Sequence, residues 1–310
     1  PRLWGALTER GDRAMRIRRI KACEGMDSLL ETSEDEQWRV TEPNDASLGW
    51  LRELAPRDDD PANGLLPFQP RSFRDCMLYE QHWIDASRGY VRRFMPAVYP
   101  ITRLFEAITR RPFPAFRPDA LSRKQPTYYF GNHMTMVPSG TVIDVRGYTQ
   151  ALDFELELGW VLKKPLFNAT PEEAVHALGG FVVVNDFSAR DLQRAEMSSS
   201  FGPQKSKHFL SSMSLTMATP ESLLSRIHAL SASVEINGRK LSQTSTAGMR
   251  YSLGQVLSHL SRGERLYPGE LIASGTLPGG CGMEKGRWLQ SGDQLRLVIE
   301  DVGEITHNIE

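Results

Sequence analysis

A β-rich α+β fold with a small N-terminal unit is what this chain predicts, on three observations. Strand patterns dominate from Thr127 onward, helix signals are short and scattered among them, and regular strand–helix–strand alternation is missing. The first 68 residues are polar and weakly patterned, so we expect a small N-terminal domain and linker over 1–68 and a larger catalytic domain over 69–310. A chain of 310 residues with 40% hydrophobic residues can bury a substantial core in such an arrangement.

In chain order, the Trp38, Arg39, Val40 triplet reads as a short strand, and RDDDPANG (57–64) as the linker out of the N-terminal unit. Residues 69–125 carry more helix signals, including an amphipathic run over 98–109 before the RPFP loop (111–114), and we expect part of a lid there. The segment ALDFELELGWVL (151–162) alternates with a period of two, as a strand does. Thr170, Pro171 and Glu173 form a capping box that starts a helix expected to stop at Gly179 and Gly180. The run FVVVND (181–186) is a buried strand ending in an acid, after which Ser188 is placed to cap a helix with Asp191 in its first turn. Asn237 and Gly238 suit the turn of a hairpin over 234–241. Residues 251–260 read as a helix, 267–272 lead into a strand end at Gly275 and Thr276, and 293–299 form a late strand.

The alternation in 151–162 carries the chemistry. Leu152, Phe154, Leu156 and Leu158 point one way, so Asp153, Glu155 and Glu157 point the other. Neighbouring carboxylates repel each other and cost free energy to desolvate, so a strand this apolar holds them inward only with a compensating cation. The alternative is a strand at the sheet surface with its acids in water. Asp186, at the end of an apolar strand, adds a third candidate oxygen ligand in the same local unit.

The segments LDFELEL (152–158), NDFSARDLQ (185–193), KHF (207–209) and the pair Gly275–Thr276 with its glycine-rich tail occur in the order and spacing of the fumarylacetoacetate hydrolase family, and the chain resembles that family over roughly residues 70–310. The resemblance implies a mixed β-sandwich roll with peripheral helices, assembled as a homodimer. It matches Glu155, Glu157 and Asp186 to metal ligands, and FRDCMLYEQH (73–82) supplies Asp75 as a fourth ligand and His82 as the general base. Glu284 matches the acid behind that base, and Lys207 the cation over a developing enolate, with Lys205 a near competitor. Arg190 and Gln193 match donors near the oxyanion and the attacking water, while Tyr129, Gly275 and Thr276 match substrate-facing positions. Met77 and Met197 stand where the fumarylacetoacetase branch has tyrosines, which would favour a less polar or bulkier substrate.

Four carboxylates without a cysteine or histidine ligand suit a hard cation, with Mg²⁺ preferred and Mn²⁺ or Ca²⁺ as alternatives. The activity implied is metal-dependent hydrolysis of a carbon–carbon bond in a β-diketone or acylpyruvate. A decarboxylase, dehydratase or isomerase of a 2-keto acid could use the same site, and a non-catalytic metal-binding protein is the remaining alternative.

A formal net charge of −1, with basic residues scattered, argues against a nucleic-acid or anionic-membrane partner. The modest basic patches at Arg16 to Arg19 and Arg110–Arg111 read as solvated faces. The cysteines, Cys23, Cys76 and Cys281, lack metal-type spacing and do not form a disulfide framework, which with the missing apolar spans gives cytoplasmic residence as the expectation. The polar loop over 196–205, with Phe201 at its centre, suits a segment that closes over bound substrate.

Overall fold

The strand patterns become a large sheet, a four-stranded sheet and a two-stranded pair in a computed structural model that describes residues 15–21, 28–42, 45–56 and 64–310. Cys23 and most of the expected linker at 57–64 lie outside the described residues. The chain runs through β1 (Arg16–Ile20), β2 (Leu29–Ser33), β3 (Arg39–Val40), α1 (Gly49–Arg52), β4 (Ser72–Cys76), α2 (Glu80–Phe94) and α3 (Tyr99–Thr109). Next come β5 (Tyr128–Gly131), β6 (Met136–Pro138), β7 (Leu152–Asp153), β8 (Leu156–Leu162), α4 (Pro171–Val175), β9 (Leu178–Asn185), β10 (Ser188–Ala189), α5 (Arg190–Ser198) and α6 (Lys205–His208). The last third holds β11 (Ser211–Met213), β12 (Thr216–Ala218), β13 (Ser231–Ile236), β14 (Arg239–Ser245), α7 (Leu253–Leu260), β15 (Glu270–Ala273), α8 (Gly282–Lys285), β16 (Gln294–Ile299) and β17 (Gly303–Asn308).

The large sheet has the order β3-β2-β1-β12-β9-β8-β15-β4-β5, with β11 pairing β9 and β6. The small sheet is β14-β13-β16-β17, and β7 pairs with β10 alone. Most pairs are antiparallel, while β15 and β4 run parallel, so the arrangement is the mixed α+β one expected. The N-terminal strands extend the large sheet, with Ile17 opposite Met217 across β1 and β12.

The large sheet is covered on both faces, which is why every residue of β8 and β9 is buried. Leu156, Leu158 and Trp160 pack with Val234, Leu295, Leu297 and Ile299 of the small sheet, whereas Val161 and Val182 pack with Ile17, Leu51 and Phe68. Each such side chain stabilises the fold by about 1.5–3 kcal/mol on transfer from water. Glu157 therefore shares the face of Val161 and cannot reach solvent, which excludes the surface-strand alternative.

Local signals were read with mixed success. Thr170 and Glu173 form the expected capping box, and Asn237 and Gly238 turn the β13–β14 hairpin with φ of 55° and 69°. The helix after Thr170 ends at Val175, before the expected stop, and Gly179 and Gly180 lie inside β9. These glycines serve close packing, since a Cβ on Gly179 would meet the Trp50 ring at 2.7 Å. Ser188 does not cap α5 either. It lies in β10 opposite Asp153, α5 starts at Arg190, and Asp191 accepts hydrogen bonds from Thr149 and from the Gln150 N–H.

Candidate active site

Strands β9, β8 and β4, with β15 between the last two, bring four acids to one end of the large sheet. Asp75 sits near the end of β4, opposite Ala273 of β15 and Tyr129 of β5. Glu157 lies on β8 opposite Val184, Asp186 follows β9 directly, and Glu155 precedes β8, where it bridges to Cys281. Asp75, Glu155, Glu157 and Asp186 each place an oxygen within 4.8 Å of the others, and none is more than 5% exposed.

The cluster is short of positive charge and of donors. Burial, and then the neighbouring carboxylates, push Asp75 and Glu157 well above the usual carboxylate range. Asp75 Oδ1 and Glu157 Oε2 are buried without a hydrogen-bond partner. Lys207 Nζ donates to Glu155 and, at 2.5 Å, to Asp186, which also accepts from Tyr129 Oη at 2.5 Å and from Ser211 Oγ at 3.3 Å. Burial opposes ionisation of Glu155, yet Lys207, Arg190 and His82 hold it below the usual range. Orphaned oxygens, mutual repulsion and an all-oxygen donor set together fit a hard divalent cation.

Beside this cluster lies a histidine–carboxylate pair. His82, on the first turn of α2, is 4% exposed and shares a hydrogen bond from Nδ1 with Glu284 of α8. Its Nε2 lies 3.9 Å from Glu155 Oε1, so the unpaired side of the ring faces the acids. Burial raises the Glu284 carboxyl, while His82 pulls it down. His82, Cys281 and Glu284 also converge closely enough to suggest a second metal group. Burial, and then the nearby acids, push the Cys281 thiol well up.

Arg190 links the two groups. Its guanidinium bonds Glu155 Oε1 at 2.5 Å, Asp153 Oδ2 at 2.9 Å and Gln193 Oε1 at 2.8 Å. Asp153, which alternation put on the acid face with Glu155 and Glu157, is thus turned to Arg190 instead of joining the cluster. Of the two candidate lysines, Lys207 is buried and Lys205 exposed. Gly275 has φ +77° and brings its backbone against Cys76 and Met77 so closely that a Cβ would strike the Cys76 carbonyl. Thr276 Oγ1 lies 3.5 Å from Glu157 Oε1, and Met77 is half-buried. Met197, by contrast, is 48% exposed in the last turn of α5.

Residues 109–310 match the family model described as fumarylacetoacetate (FAA) hydrolase C-terminal, and the chain belongs to this family. An oxaloacetate tautomerase of Bacillus subtilis (strain 168) is 30% identical over 169 residues, 52% of this chain and 53% of that protein. The mitochondrial oxaloacetate tautomerase of Homo sapiens is 27% identical over 187 residues, 60% of this chain and 81% of that protein. The matched stretch thus spans about half the length of the bacterial relative.

Among solved structures, the fumarylacetoacetate hydrolase from psychrophilic Exiguobacterium antarcticum has a TM-score of 0.70 at 21% identity, covering 96% of this chain and 99% of that one. The fumarylpyruvate hydrolase from Pseudomonas aeruginosa, in complex with Mn²⁺ and pyruvate, has a TM-score of 0.56 at 18% identity, covering 77% and 89%. At these identities the likeness concerns the fold. No helix among the described residues is long and apolar enough to cross a membrane.

Proposed function

We propose that this chain is a metal-dependent hydrolase that cleaves a carbon–carbon bond of a β-diketone or acylpyruvate. The observation that carries the proposal is the His82–Glu284 pair, with the Nε2 of His82 turned toward the carboxylate cluster. Asp75, Glu155, Glu157 and Asp186 would hold the cation. When bound, it would supply Lewis-acid polarisation and a template for the two oxygens of a 1,3-dicarbonyl, with Mg²⁺ favoured and Mn²⁺ or Ca²⁺ possible.

His82 Nε2 removes a proton from water while Glu284, on Nδ1, fixes the ring and stabilises the imidazolium. The water oxygen bonds to one carbonyl carbon, the carbon–carbon bond then breaks, and its electron pair moves into an enolate. Lys207, fixed between Glu155 and Asp186, places a buried positive charge beside that enolate. The proton taken by His82 returns to the enolate carbon, so the products are two acids, or a ketone and an acid. Arg190 and Gln193 orient the attacked side through their mutual hydrogen bond, and Tyr129, Met77, Gly275 and Thr276 line the substrate side.

A second activity is favoured by the two curated relatives, both oxaloacetate tautomerases. In that case the same histidine shuttles a proton between carbon and oxygen of a 2-keto acid without addition of water, and an isomerase would work in the same way. Turnover of acylpyruvates, fumarylacetoacetate analogues and oxaloacetate in ¹⁸O-water separates them. Hydrolysis puts ¹⁸O into a cleaved acid, whereas an intact carbon skeleton would overturn the proposal.

A further inference from the structure

Alternation puts three acids on one face of the 151–162 segment, and the carboxylate cluster takes only Glu155 and Glu157. The third, Asp153, is fully buried, and both its oxygens are engaged. Oδ1 accepts the N–H groups of Phe154 at 2.9 Å and Gly282 at 2.7 Å, and Oδ2 accepts the Met283 N–H at 3.1 Å and Arg190 Nε at 2.9 Å. Gly282 and Met283 open α8, the four-residue helix that carries Glu284. A helix this short has no stability of its own, so its place depends on what holds its ends. Cys281, at the N-cap of α8, offers no side-chain cap, and Asp153 supplies those acceptors from a distant strand.

The fit at Gly282 is tight. A Cβ there would lie 2.5 Å from Asp153 Oδ1 and closer still to the Arg287 carbonyl. From Asp153 the contacts then close a ring: through α8 to Glu284, to His82, across to Glu155, to Arg190 and back to Asp153.

We infer that Asp153 is a positioning residue, which seats the helix bearing Glu284 and, through Arg190, the Glu155 carboxylate, so that the histidine pair and the carboxylate cluster keep a fixed separation. The inference rests on the proposed role of the His82–Glu284 pair, and its test separates the two. The variant is Asp153→Asn, whose amide nitrogen cannot accept the N–H groups that one carboxylate oxygen accepts. The direct readout is the low-field proton resonance of His82 Nδ1–H in its hydrogen bond to Glu284, assigned by its loss in His82→Ala and Glu284→Gln.

In folded Asp153→Asn we expect that resonance to vanish and kcat to fall about 10–100-fold with KM changed less than about threefold. In a Glu284→Gln background the same substitution should cost less than about twofold, because the two act through one path. A retained resonance with unchanged kcat, or a full independent loss in the double variant, would overturn the inference. If Glu284→Gln itself leaves kcat unchanged, the proposed base pair fails instead. Should Asp153→Asn not fold, Gly282→Ala keeps the carboxylate but lifts α8 away from it. Loss of the resonance in that folded variant supports the anchor, and its retention contradicts it.

Discussion

Arg74 and Asp75 are neighbours on β4, both buried, and their surroundings could hardly differ more. Arg74 is fully matched: its guanidinium bonds Glu264 at 2.5 Å and 3.2 Å and Glu270 at 3.1 Å and 3.3 Å, and Ser72 Oγ donates to Glu270 as well. Asp75, on the opposite face, meets Glu157 and Asp186, keeps an orphaned oxygen and is pushed up in pKa. The two buried histidines repeat the contrast. His307 has both ring nitrogens occupied, by the Thr141 carbonyl and Ser212 Oγ, and burial lowers it to about 4, whereas His82 has one nitrogen committed and the other facing acids. A satisfied buried network holds a fold together. An unsatisfied one persists because something else completes it, and that difference, more than burial or charge, locates the site.

The largest expected effect tests the unsatisfied side. Glu157→Ala should abolish divalent-cation binding and turnover together, read by titration calorimetry with Mn²⁺, and retained affinity would remove Glu157 from the ligand set. His82→Ala should keep the cation and lose water-dependent cleavage by roughly 10²–10⁴-fold, and undiminished hydrolysis would refute its role as base. On the satisfied side, Arg74→Met should leave the buried Glu270 without its cation, Glu264 being exposed, and cost about 3 kcal/mol in chemical denaturation. Cation affinity of the folded fraction should stay unchanged, and a parallel loss of affinity would erase the contrast between the two faces of β4. The smallest effect concerns the loop over 196–205, where Phe201 is 86% exposed. Phe201→Ala should raise KM or lower kcat a few-fold without altering cation affinity, and loss of binding would rule out a purely covering role.

Much of this site was legible because its signals are local. Period-two alternation exposed Glu155 and Glu157, and the apolar run before Asp186 marked a strand end, while the preference for Lys207 over Lys205 came from the family resemblance of the KHF segment (207–209). Other features depend on partners far along the chain. Tyr129 reaches Asp186 across 57 residues and Asp153 reaches Gly282 across 129, so no window of sequence shows either contact. The same physics explains the misread ends. Gly179 and Gly180 look like a helix stop but are required by close packing of β9, and Ser188 looks like a cap but is taken by pairing with Asp153. Strand β1, in the Arg16 to Arg19 stretch that reads as a solvated face, pairs with β12, about two hundred residues away.

The central claim is that the buried acids and the His82–Glu284 pair act on one substrate with water. Turnover of an acylpyruvate and a fumarylacetoacetate analogue in ¹⁸O-water, with Mg²⁺ and after chelation, tests it most directly. The predicted result is chelator-sensitive cleavage with ¹⁸O in one acid product. Loss of CO₂, or a product with its carbon–carbon bonds intact, would contradict it.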